Sequence, residues 1–245
     1  MTSVETFEEV NSCWRDLADV LSAGISRVLL YGPSGTGKTY AALHHGVGNA
    51  PAERLVCTED LTSGEITGTW MPVGENRWEW REGPAIRAWR GSSGGLGGRL
   101  VVDEVDRASG DALSTLLAMT DSPESSRWRN PETSEWLRPG PQFSVVMTTN
   151  VEDLDDIAPS LRDRFPVSIR IDRPHVAALA SLSVDLRAPA LAGSLGPASR
   201  RVSLRSFYAF DELRRHLGPA RAAQLVFGDD AATSVLDALA IAAIA

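Results

Sequence analysis

Gly32-Pro33-Ser34-Gly35-Thr36-Gly37-Lys38-Thr39 is the stretch whose reading decides the fold. It satisfies every position of the phosphate-loop pattern G-x-x-x-x-G-K-[ST]. It also lies between an apolar run, Arg27 to Tyr31 (RVLLY), and a helix predicted over 38–46, which is the context the pattern requires. The glycines let successive backbone N–H groups turn inward around a β-phosphate. The helix that follows aims the positive end of its dipole at the same place. Lys38 is then placed to reach the β- and γ-phosphates and Thr39 to give its hydroxyl to Mg2+.

Downstream of the loop, four more apolar runs read as strands: 55–58, 100–103, 143–149 and 167–171. Helices are predicted over 84–90, opened by Pro84, and over 108–120. Strands alternating with helices imply a five-stranded parallel sheet covered on both faces. Between them, 67–82 carries Trp70, Trp78 and Trp80 around Val73-Gly74-Glu75-Asn76, and predicts a β-hairpin with its turn at 74–76. Residues 91–98 (GSSGGLGG) read as a flexible connector. In 121–141, Trp128 and Trp136 stand either side of 130–133, which predicts a second hairpin or a long ordered loop. Upstream, Phe7, Val10, Trp14, Leu17 and Leu21 recur at helical spacing and predict a helix over 3–22 ended by Gly24. Beyond Arg173-Pro174 the chain is rich in Ala and Leu and holds no strand pattern. Ser203, Gly218, Pro219 and Asp229 or Asp230 mark its helix ends. The expected divisions are an N-terminal helix (1–24), an α/β core (25–172) and a helical lid (173–245).

Leu100-Val101-Val102-Asp103-Glu104 is an apolar strand that ends in two adjacent carboxylates. Neighbouring strand residues point to opposite faces, so the two acids are expected to have different tasks. Asp103 would hold Mg2+ through water, and Glu104 would orient and deprotonate the water that attacks a γ-phosphate. A kinase excludes water and needs no such base, so an adjacent glutamate favours hydrolysis.

Composition narrows the field further. With 245 residues, 43% hydrophobic and 23% charged, the chain can bury a core without disulfides or a structural metal. Cys13 and Cys57 form no disulfide framework and no zinc spacing, which fits reduced thiols in a cytoplasmic setting. Residues 1–10 are acidic and lack an apolar run, so they are not expected to act as a signal peptide, and with no run of about 18 apolar residues no membrane partner is expected. The net charge of −8 disfavours nonspecific nucleic-acid binding. Lys38 is the only lysine, so a guanine-reading Asn-Lys-x-Asp segment cannot exist, and ATP is the expected nucleotide. His44 and His45 are adjacent and diverge on a helix, while His175 and His216 are isolated. None forms a metal pair.

The GPSGTGKT loop, the LVVDEVDR strand end and a strand ending in Thr148-Thr149-Asn150 together resemble the AAA+ ATPases. Gly64-Glu65-Ile66-Thr67-Gly68, the tryptophan hairpin and Glu79-Trp80-Arg81-Glu82-Gly83-Pro84 are similar to the dynein-related and MoxR-like branch, which includes the ATPase of the McrB restriction system. The likeness covers 25–172 well and 173–245 only in general character. It implies that Asn150 is sensor 1 and helps position the attacking water. It implies that Leu161-Arg162-Asp163-Arg164-Phe165 is the arginine-finger segment, with Arg164 the finger and Arg162 the reserve. It also implies that Arg205, after Ser203-Leu204, is the sensor 2 arginine, although many relatives have proline in place of Leu204 and Arg201 lies close by. A finger entering the neighbouring subunit's site implies a homo-oligomeric ring, expected as a hexamer. MoxR-like relatives are described as chaperone-like, which makes a protein client or adaptor the expected partner. A nucleic-acid motor and a nonhydrolysing assembly module are the alternatives, and the tryptophan hairpin could grip a client, pack internally, or do both.

Overall fold

The computed structural model describes residues 12–45, 52–92, 95–196 and 201–242. Expectations for Phe7, Val10, Gly46 and part of the 91–98 connector lie outside the described residues. The chain divides into two units. One comprises Asp16–Gly32 and Lys38–Arg170, and the other Met1–Arg15, Pro33–Gly37 and Ile171–Ala245.

The first unit is built on five parallel strands. They are β1 (Arg27–Tyr31), β2 (Glu53–Val56), β5 (Arg99–Asp103), β8 (Ser144–Thr148) and β9 (Val167–Arg170), in the order β2-β5-β8-β1-β9. The three inner strands are fully apolar where they cross the core: Val28, Leu29 and Leu30 on β1, Leu100, Val101 and Val102 on β5, and Val145, Val146 and Met147 on β8 are all buried. Burial on both faces is what a parallel sheet demands, and it explains runs with no polar alternation. The edge strand β2 behaves differently, since exposed Arg54 and Val56 alternate with buried Leu55 and Cys57. Helices follow the strands: α2 (Lys38–His44), α3 (Ser63–Thr67), α4 (Pro84–Arg90), α5 (Gly110–Met119) and α6 (Pro159–Arg164). Thr62 and Glu65 form a reciprocal capping box that starts α3.

Buried Arg99, at the start of β5, places its guanidinium on the carbonyls of Ala42 (3.3 Å) and His45 and on Ser144 Oγ (3.3 Å). A cation at the C-terminal end of α2 complements that helix's dipole. The contact also ties the helix behind the phosphate loop to two central strands.

Two antiparallel hairpins interrupt the α/β alternation, β3 (Gly68–Gly74) with β4 (Arg77–Glu82), and β6 (Trp128–Arg129) with β7 (Trp136–Leu137). The turn of the first is at Glu75-Asn76, with Asn76 left-handed at φ 58°. Gly68 starts it at φ 135°, where a Cβ would lie 2.5 Å from both the Trp80 ring and the Arg81 carbonyl oxygen, so only glycine fits. The tryptophans divide their tasks. Trp80 meets Trp70 edge-on at 5.6 Å and stacks on Trp128 at 5.8 Å, joining the two hairpins. Trp78 and Trp136 stand 60% and 61% exposed.

Residues 171–242 form the helical part of the second unit: α7 (Val176–Ala180), α8 (Val184–Ser194), α9 (Leu204–Leu217) and α10 (Pro219–Ala242), the last kinked at Gly228 (φ 75°). Its core is Leu179, Leu182, Leu186, Leu204, Phe207, Phe210 and neighbouring alanines. Helix α1 (Ser12–Ser22) contributes Trp14, whose Nε1 donates to the Arg173 carbonyl at 3.0 Å. Ser203 precedes α9 without a side-chain capping bond, so its role there is backbone geometry rather than the hydroxyl cap its sequence position suggested.

A carboxylate network organises α8 and α9. Asp211 accepts from the Ser183 N–H (3.0 Å) and hydroxyl (2.8 Å) and from Arg214 (3.0 Å), while Arg214 forks onto both oxygens of Asp185. The Arg214 hydrogen bond and charge hold Asp185 below the usual carboxylate range. Burial pushes Asp211 upward, but Ser183 and Arg214 more than offset it and Asp211 also lies low. Both groups therefore contribute stability that is complete above the unfolded value near 3.9 and is lost as pH falls through their folded values. Melting followed by hydrogen exchange in 176–242 should be flat from about pH 8 to about pH 5 and drop below about pH 4. Asp211→Asn should cost about 2 kcal/mol at neutral pH and blunt that acid drop. An undiminished drop in the variant would assign the acid lability elsewhere.

Candidate functional site

Strand β1 delivers the chain to Gly32, whose N–H donates to the Val151 carbonyl at 2.8 Å. Residues 33–37 then run to Lys38, the first residue of α2. In that stretch Thr36 Oγ1 donates to the Pro33 carbonyl at 3.1 Å, and Gly35 and Gly37 adopt φ of 77° and 104°. A Cβ at Gly35 would sit 2.6 Å from Ser203 Cβ, two residues before Arg205 on α9, so this unit packs its loop tightly against the α9 start. Ser34 and Pro33 complete the loop.

Lys38 is buried, and its ammonium donates to the Gly32 carbonyl at 2.8 Å and to Asn150 Oδ1 at 3.1 Å. Thr39 Oγ1 donates to Asp103 Oδ1 at 2.8 Å. The Asp103 carboxylate, at the end of β5, also accepts from the Thr148 hydroxyl and, on Oδ2, from Arg54 at 2.6 Å. Burial pushes its pKa up, but the hydrogen bonds from Thr148, Arg54 and Thr39 and the Arg54 charge win, so Asp103 is held low and ionised. The carboxylate and the Thr39 hydroxyl are hard oxygen groups of the kind that suit Mg2+. Among the described residues no cluster of three His, Cys, Asp or Glu could hold a metal by itself.

Glu104 departs from the expected geometry. It does not continue the strand: its backbone is left-handed (φ 56°, ψ 45°), and a short 3-10 turn, Val105–Arg107, follows. A turn, and not the next position of the strand, therefore sets where its side chain leaves the backbone. A non-glycine residue held there is a strained position of the kind found at functional sites. Its partner is Arg107, with Nε 3.2 Å from Oε2. Asp106 accepts from Thr149 Oγ1 at 2.6 Å, which pins the end of β8, and hence Asn150, to the turn that carries Glu104. Asn150 itself is exposed rather than buried. Cys57, fully buried beside Asp106, Asp103 and Glu104, has its thiol pushed up to about 12, chiefly by burial and then by those carboxylates. It is inert packing.

Arg162 is engaged by Asp155 at 2.9 Å. Arg164 has its Nη1 on the Ser160 carbonyl at 3.3 Å and its Nε 3.9 Å from Asp121, with that Nε buried and lacking a hydrogen-bond partner. Arg201 bonds the Gly196 carbonyl, while Arg205 is exposed in the first turn of α9. The structure thus brings Lys38, Thr39, Asp103 and Asn150 together. Sequence reading missed Arg54 and Asp106: Arg54 carries no motif, and Asp106 stands in the LVVDEVDR strand end without an assigned role.

Comparison with curated proteins gives no match. Among solved structures, NtrX from Brucella abortus in complex with ADP aligns at TM-score 0.54 and 17% identity, over 84% of this chain and 50% of that one. The same protein in complex with ATP aligns at 0.49 and 15%, over 98% and 68%. A candidate ATPase from Cytophaga hutchinsonii aligns at 0.47 and 18%, over 71% and 51%. The chain spans about half the length of the first and third of these. The family model described as AAA domain (dynein-related subfamily) matches residues 27–165, more than half of the chain. With a five-stranded parallel sheet, a phosphate loop after β1 and an acidic end to β5, this chain belongs to the dynein-related subfamily of AAA domains.

Proposed function

We propose that this protein binds ATP with Mg2+ and hydrolyses it as a ring of identical subunits, using the cycle to remodel a partner protein in a chaperone-like role. The observation that carries the reading is the convergence of four side chains from three segments: Thr39 on Asp103 at 2.8 Å, and Lys38 on Asn150 at 3.1 Å. Lys38 and Asn150 satisfy one another in a way that phosphate oxygens and a water could replace. Bound Mg2+ would supply charge neutralisation on the phosphates. Thr39 and Asp103 are the residues that would hold it. Glu104 would take the proton from water that Asn150 orients, and Asp106, through Thr149, keeps those two in register. Arg164 would stabilise charge on the γ-phosphate of a neighbouring subunit. The tight approach of Gly35 to Ser203 supports Arg205 as the lid's nucleotide-sensing group.

Calorimetry tests the reading directly: Mg2+ and ATP should bind with saturable heat, and Lys38→Ala should weaken binding by at least about tenfold, since a charge-assisted contact is worth about 1.5–3 kcal/mol. Absence of heat from folded wild-type protein would end the proposal. One observation favours a nucleic-acid client instead, the exposed Trp136 ring with the Arg127 guanidinium 5.2 Å from its centroid, a platform on which bases can stack. The net charge of −8 counts against it. A salt-dependent shift of labelled DNA would favour that client.

A further inference from the structure

Asp103 has more partners than a metal-holding carboxylate needs. Oδ1 accepts from Thr39 at 2.8 Å and from Thr148, while Oδ2 is closed by Arg54 Nη2 at 2.6 Å. The hydroxyls belong to the phosphate helix and the central strand beside it. Arg54 comes from the other side: it lies on β2, the edge strand, paired with Val101 and so two residues behind the level of Asp103, and its side chain reaches forward along the sheet to the carboxylate. The two ends of this pair sit in different surroundings. Asp103 is 8% exposed at the side chain and Arg54 48%. The carboxylate is the buried end of the pair and the guanidinium the solvent-facing one.

We propose that Arg54 is a displaceable counter-ion of Asp103, which the divalent cation must move aside when nucleotide binds, so that Arg54 sets how much free metal the site requires. The inference rests on Asp103 being the metal-holding carboxylate, as proposed above. A buried carboxylate left without a cation is costly. Arg54 removes that cost before the nucleotide arrives, and by doing so it opposes the incoming metal, because two cations cannot share Oδ2 without repulsion. An ion pair with a half-exposed arginine is worth at most about a fivefold change in equilibrium, so the effect is a tuned threshold and not a block. Arg54 is in this sense a positioning residue.

The test is a titration of Mn2+ onto the full chain saturated with ADP, reading free Mn2+ by its paramagnetic resonance signal. ADP is chosen so that no γ-phosphate can recruit the guanidinium. Arg54→Gln should lower the half-saturating Mn2+ about three- to fivefold, and Arg54→Lys, which keeps the charge, should stay within about twofold of wild type. Without metal Arg54→Gln should melt below wild type, because it leaves the buried carboxylate without a cation, and saturating Mn2+ with ADP should close that gap. Unchanged Mn2+ binding in Arg54→Gln would reduce Arg54 to an edge-strand ion pair, and weaker binding would make it an orienter of Asp103. Either result overturns the proposal. Wild-type protein that binds ADP but takes up no Mn2+ would overturn the assignment of Asp103 and this inference with it.

Discussion

Glu104→Gln is expected to leave ATP binding within about twofold of wild type and to lower turnover by on the order of 10²–10⁴-fold, the usual contribution of a positioned general base. Glutamine has nearly the same shape and can hold the same left-handed turn at φ 56°. None of the contacts that build the cradle involve this side chain: Lys38 bonds Gly32 and Asn150, and Thr39 and Arg54 bond Asp103. What disappears is the capacity to accept a proton, together with the charge that Arg107 now balances at 3.2 Å. An amide cannot take a proton from water at neutral pH. The measurement pairs nucleotide calorimetry with steady-state phosphate release. Turnover within tenfold of a wild type that itself releases phosphate would remove Glu104 from the role of base, whereas slow wild-type turnover even with client present would favour the nonhydrolysing assembly module. The same variant held in ATP should retain its client, and whatever co-purifies with it would identify the partner.

The sheet and the phosphate loop were legible in the sequence because each is written locally. Arg27–Tyr31 and Pro84–Arg90 fall where their apolar patterns place them, and the motif from Gly32 to Thr39 lies between a strand and a helix, the context it needs. Strand ends shifted by one or two residues, as at β2, where a buried Leu55–Cys57 pattern hid a start at Glu53. What could not be read was anything that depends on two distant segments meeting. Arg54 on Asp103 spans 49 residues, and Thr149 on Asp106 spans 43. The stacking of Trp80 on Trp128, which joins the two hairpins, belongs to the same class. Glu104 shows a subtler failure: it was read as continuing the strand after Asp103, whereas the strand ends at Asp103 and Glu104 stands in a left-handed turn. Buried Arg99 was invisible because a basic residue opening a strand reads as a solvated charge, and only the fold reveals the helix end it caps.

Arg164→Ala is expected to lower turnover by on the order of 10³-fold or more with ATP affinity unchanged, because a finger acts on charge that develops only in the transition state. The fold should tolerate the change. Arg164 is held by one long carbonyl contact of 3.3 Å and a 3.9 Å approach to Asp121, contacts worth about 1 kcal/mol together. Loose tethering suits a group meant for another molecule, whereas Arg162 is committed to Asp155 at 2.9 Å and Arg162→Ala should matter far less. The decisive arm mixes two inactive forms. Lys38→Ala subunits lose the phosphate contact but keep Arg164, and Arg164→Ala subunits keep an intact phosphate loop. In a randomly assembled closed ring made from equal amounts, about a quarter of interfaces pair a working loop with a working finger. Phosphate release should therefore recover to roughly a quarter of wild type, or less if sites act in concert. Failure of any mixing ratio to restore activity, with both variants shown to co-assemble, would place the finger in its own subunit's site or elsewhere in the chain. The ring would then lose its main physical argument.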